Sequence, residues 1–91
     1  MVVKQKQIYY MIFNKLKWKY PSKGELPICV FEIPVFAHLV DDEGNMKYVV
    51  LLWDNILKCW EDPETCEQNC DVTSVRRWEY LDKIIDQLDR I

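Results

Sequence analysis

Lys15, Lys17 and Lys19 alternate with Leu16, Trp18 and Tyr20, and this is the spacing in the chain that best fits a defined chemistry. On a strand, alternate side chains share a face and stand roughly 6.6–7 Å apart, so three ammonium groups would track the phosphates of a nucleic-acid backbone. Lys4 and Lys6 precede them, and Arg76 and Arg77 add a second basic pair late in the chain. The same pattern also fits a solvated strand face, or an edge guarded by lysines, with Leu16, Trp18 and Tyr20 packed inward. In that arrangement the lysines act by charge alone, so any binding is non-specific and sensitive to salt.

Cysteine and histidine give less. Cys59, Cys66 and Cys70 fall within twelve residues, with Cys29 and His38 as further donors. Tetrahedral zinc sites favour close C-x2-4-C knuckles, which this spacing does not supply. Reduced thiols are the default reading of four cysteines without a secretory layout. In an oxidising setting, Cys59 would pair with Cys66 or Cys70. A nucleophile pair of Cys29 and His38 would be separated by roughly 30 Å on a straight strand. Gly24 and Gly44 are the two glycines, too few for a phosphate-cradling loop. The expectation is therefore no catalytic residue, no metal and no cofactor.

Charge is distributed unevenly. Residues 1–23 carry six lysines and no acid, whereas residues 24–91 hold all fifteen carboxylates, giving +6 and −9 within a net charge of −3. Such a dipolar chain presents an anion-facing edge on an acidic body. Glu79, Asp82, Asp86 and Asp89 would form an acidic face on a last helix, available to a basic partner.

The elements that must position these groups read as α+β. Residues 8–20 predict a strand, with a helix over 4–14 as the alternative. Residues 28–40 predict a second strand, in which Pro34 demands an edge or a bulge. Asp41 to Asn45 reads as a hairpin loop and Met46 to Trp53 as the returning strand. The course after Trp53 is open. Asp62 caps a short helix ending near Asn69. From Asp71 or Thr73 the stripe Val75, Trp78, Leu81, Ile84, Ile85, Leu88 and Ile91 predicts an amphipathic helix, carrying the pairs Glu79–Lys83 and Asp86–Arg90. The fold class is a small antiparallel sheet of three or more strands, packed on one face by that helix.

Ninety-one residues, 49% of them hydrophobic, support one domain spanning 1–91 that buries roughly 60–65% of its unfolded surface. No run approaches the roughly 20 apolar residues of a membrane span, and the N-terminal stretch lacks a signal-peptide layout, so the expected location is intracellular and cytoplasmic. What remains is a non-enzymatic protein-interaction module, of the kind that a virus or mobile element encodes as an accessory or inhibitor protein. The alternative is a nucleic-acid-binding protein using the basic N-terminal strand. Aromatic surface would further favour a homodimer.

Overall fold

A computed structural model describes residues 16–90. The N-terminal half of the expected first strand, with Lys4, Lys6 and Lys15, and the last stripe residue, Ile91, lie outside the described residues.

The hairpin forms as its sequence dictates. Strands β1 (Glu32–Val40) and β2 (Met46–Asp54) pair antiparallel from Glu32↔Asp54 to Val40↔Met46. Between them, the Asp41 carboxylate accepts the backbone N–H groups of Glu43 and Asn45 at 3.0 and 2.8 Å, and Gly44 takes the left-handed φ of 84° that a side chain disfavours. The chain then turns through residues 55–58 into β3 (Cys59–Glu61), β4 (Gln68–Asn69) and β5 (Val75–Tyr80), and ends in α1 (Leu81–Asp89). The sheet order is β4-β3-β2-β1-β5, with every pairing antiparallel. A small α+β fold results, with α1 packed against β1 and β5.

Several segments differ from expectation, the first being residues 28–31, which lie in the loop before β1 rather than in the strand expected over 28–40. Val75 to Tyr80 is strand rather than the start of the last helix, because β5 closes the ladder on β1. A bulge displaces the register between His38 and Leu39: Leu39 faces Val75 while His38 faces Arg77, leaving Arg76 as the extra residue. That extra residue lets Val75 and Trp78, three apart, both point into the core. Residues 62–69 form a turn and the two-residue β4 rather than a short helix. Asp62 still caps locally, its carboxylate accepting the Glu64 and Thr65 N–H groups.

The core lies on one face of the sheet: Val35, Ala37, Leu51, Trp53, Trp60, Val75 and Trp78. Leu26, Cys29 and Val72, from loops outside the strands, pack over it. Each indole N–H finds an acceptor at this roof or beside it: Trp78 on the Glu25 carbonyl at 2.8 Å, Trp60 on the Val72 carbonyl at 2.9 Å, Trp53 on the Asn55 side chain at 3.4 Å. The rings of Trp60 and Trp78 approach to 6.4 Å across two intervening strands.

The opposite face carries α1, where Ile84 packs with Leu16, Trp18 and Phe36. Ile85 and Leu88, expected on the buried stripe, are about half exposed. Ile84 is the buried residue of this nine-residue helix, so its contact with the sheet is narrower than the stripe predicts.

Pro34 sits in an inner strand yet obeys its constraint. The β5 ladder begins only at Val35↔Tyr80, so at Pro34 β1 has a neighbour on one side. On the outer side of β5, Lys19 and Trp78 exchange two backbone hydrogen bonds of 2.9 Å, and the Glu79 carboxylate accepts the Tyr80 N–H at 2.9 Å. The alternating lysine segment is thus reduced to a single bridge within the described residues.

Candidate functional site

Among the described residues, the basic side chains do not form one face. Lys19 is neutralised: its Nζ lies 2.8 Å from the nearly buried Glu79 carboxylate and sits over the rings of Trp78 and Tyr80. Glu79 therefore belongs to strand β5 and an interior ion pair, not to an exposed helix face, and its expected partner Lys83 is left free of it. Asp82, Asp86 and Asp89 do lie exposed on α1, with Asp86 paired to Arg90 at 3.1 Å. Lys17 is exposed, and Arg76 projects from the bulge. Neither arginine sits at a helix start; both belong to β5.

Lys17, Lys19, Glu79, Lys83, Asp86 and Arg90 line a crevice of about 300 Å³ between the 16–19 segment and α1. Lys19 and Arg90 are paired with the two acids, whereas Lys17 and Lys83 form no ion pair among the described residues.

Arg77 is drawn into an aromatic cluster. Its guanidinium stacks 4.3 Å from the Trp18 ring centre, its Nε donates to His38 Nδ1 at 3.1 Å, and an Nη donates to the Tyr48 hydroxyl at 3.1 Å. His38, 5% exposed, stacks on Tyr48 with ring centres 4.6 Å apart. Because Nδ1 accepts, the proton of the neutral ring belongs on Nε2, which is buried without a hydrogen-bond partner among the described residues. Burial pushes the His38 pKa down, and the neighbouring Arg77 and Arg76 charges push it further.

A pH dependence follows. His38 is the only histidine in the chain. The unfolded ring, near its ordinary value of about 6.5, takes up a proton more readily than the folded one. Stability is therefore fully present above that value and falls as pH drops from about 6.5 toward the lowered folded value, by at most about 1.4 kcal/mol per pH unit. Urea midpoints between pH 7.5 and 5 should show this decline, and His38→Gln should flatten it. An unchanged slope in the variant would assign the effect to other groups.

Sequence reasoning missed the most exposed apolar feature. Ile28, Val30 and Phe31, which precede β1, and Ile56 and Leu57, which follow β2, are between 56 and 86% exposed. The two loops are tied together: Asn55 donates its backbone N–H to the Phe31 carbonyl and its side-chain amide to the Cys29 carbonyl, both at 2.7 Å. The Asp54 carboxylate accepts the Ile56 and Leu57 N–H groups at 2.9 and 3.0 Å, and Lys58, at a left-handed φ of 58°, donates to the Asn55 side chain at 2.7 Å. The signal in the sequence was Asp54-Asn55 followed at once by Ile56-Leu57, a turn that points its apolar residues outward.

Cys59 and Cys70 form a disulfide, and Cys29 and Cys66 are free. That corrects the default of reduced thiols and selects one of the two pairings open from the sequence. Burial pushes the Cys29 thiol pKa up, with Lys58 opposing and the Asp54 and Glu32 carboxylates adding to the rise. Among the described residues no group of three or more His, Cys, Asp or Glu side chains is placed to hold a metal ion, and no helix is long and apolar enough to cross a membrane. No protein-family model, curated protein or solved structure matches this chain.

Proposed function

We propose that this chain is a non-enzymatic protein-interaction module that presents the knob of Ile28, Val30, Phe31, Ile56 and Leu57 to a protein partner, in the manner of an accessory or inhibitor protein of a virus or mobile element. The observation that carries this reading is the exposure of five large apolar side chains on two neighbouring loops held together by hydrogen bonds. Large apolar side chains grouped on neighbouring loops mark interaction sites more often than singly scattered ones do. The test is affinity capture with the wild type, with Phe31→Ser/Leu57→Ser and with Arg76→Ser as a control. A partner retained by wild type and control, and lost by the double variant, is the expected result. Capture indifferent to the double variant would sink the proposal.

A second reading, phosphate-mediated binding of nucleic acid, is favoured by one observation: Lys17 and Lys83 line a crevice without forming ion pairs there. Lys4, Lys6 and Lys15 would add charge. On this reading, anisotropy titrations with labelled DNA and RNA give affinity that drops steeply between about 50 and 200 mM salt. Lys17→Gln/Lys83→Gln should then weaken binding for all sequences and flatten the salt slope. Unaltered affinity in that variant would eliminate the reading.

A further inference from the structure

We propose that the knob docks into an apolar pocket on a protein partner whose rim carries Lys or Arg, and that Glu32 is the residue that meets this rim. The inference rests on the protein-interaction reading above and adds the chemistry of the partner.

Preorganisation is the first part of the argument. The Asp54 carboxylate, the Asn55 amide and the Phe31 and Cys29 carbonyls are all engaged within the knob, as is the Lys58 ammonium. These polar groups are bonded to one another within the two loops, while the five apolar side chains are exposed. A surface already held in one conformation loses little ordering entropy on association, which favours specific docking over loose collapse.

Charge decides the occupant. Glu32 and Asp54 stand directly opposite each other at the end of the β1–β2 ladder, beside the knob. Like charges in that relation repel. Glu32 is exposed and forms no ion pair among the described residues, and the nearby Lys58 ammonium, which donates to the neutral Asn55 amide oxygen, offsets only one of the two carboxylates. A basic rim relieves this repulsion and gains complementarity. A second copy of the chain, meeting knob to knob, would instead bring two such carboxylate pairs to one interface. An anionic lipid surface would meet the same negative charge.

The probe is a phage-displayed library of random peptides, panned against the full 91-residue chain, with enriched peptides synthesised and titrated by fluorescence anisotropy. The expected peptides combine large apolar residues with Lys or Arg. Phe31→Ser should weaken them by about tenfold or more. Glu32→Gln should weaken them by roughly three- to tenfold, an effect that shrinks at about 0.5 M salt. Both residues are exposed, and unchanged circular dichroism and melting would show that the variants fold. If Phe31→Ser weakens binding but Glu32→Gln does not, or if the peptides show no basic bias, the rim is refuted while the interaction reading survives. Binding unaffected by Phe31→Ser, or no enrichment at all, overturns both. A dimer in sedimentation equilibrium that depends on Phe31 would replace the basic partner with a second copy. Binding to phosphatidylserine vesicles that depends on Phe31 would replace it with a membrane.

Discussion

Trp78→Ala is expected to lower the free energy of unfolding by about 3–5 kcal/mol, a large share of the roughly 5–15 kcal/mol available to a domain of ordinary stability. Trp78 is fully buried, touches Trp60 and packs edge-on against Tyr80 with ring centres 4.9 Å apart. Its loss opens a cavity between the core face and the roof. It also removes the donor to the Glu25 carbonyl and the ring beneath the Lys19 ammonium. The backbone of residue 78 further supports Lys19, so the damage should extend to the 16–20 segment. Urea denaturation followed by far-ultraviolet circular dichroism measures the effect. A melting temperature close to that of the wild type would show that this indole does not hold the roof in place.

Loss of the Cys59–Cys70 bond is the second large effect. Its two cysteines are 11 residues apart in sequence, and closing a loop of that size is worth about 3 kcal/mol in the chain-entropy account. For a domain of this length, that amount corresponds to a drop of roughly 12–24 °C in melting temperature. The structural reason is the weakness of β4: two residues paired to a three-residue neighbour contribute few backbone bonds of their own. Melting with and without a phosphine reductant, alongside Cys59→Ser/Cys70→Ser, should give the same lowered value in the reduced wild type and the variant. Identical melting with and without reductant would mean that the local turn, capped by Asp62, holds this region without the bond.

The hairpin was legible because its information is local: alternating strands, a carboxylate-capped loop and a glycine where φ must be positive. The beginning of the last element was not, and the bulge explains why. An extra residue at Arg76 spaces Val75 and Trp78 by three, and Leu81 follows by three more, which reproduces the first steps of a helical stripe on a chain that is extended up to Tyr80. The described end of the lysine segment, residues 16–20, departs from a strand for a different reason. Alternation put Leu16 and Trp18 on one inward side, and they pack with Ile84 and Phe36, but it could not show that Lys19 would find Glu79, sixty residues away, in preference to water. The Arg77–His38 contact spans thirty-nine residues and was equally out of reach. Of the acidic helix face, Asp82, Asp86 and Asp89 stand where helical spacing put them, whereas Glu79 left with the strand.

The two margins of the sheet constrain how this protein can meet another. At one margin β4 is too short to template a neighbour; at the other, the Trp78 backbone is already bonded to Lys19 and the Tyr80 N–H to the Glu79 carboxylate. At β4 and beside Trp78 and Tyr80 on β5, a partner that works by donating a strand, as in β-augmentation, finds little unpaired ladder to join. At these two margins recognition is left to side chains and their shape, so a competitor aimed at them should imitate a pocket rather than a strand.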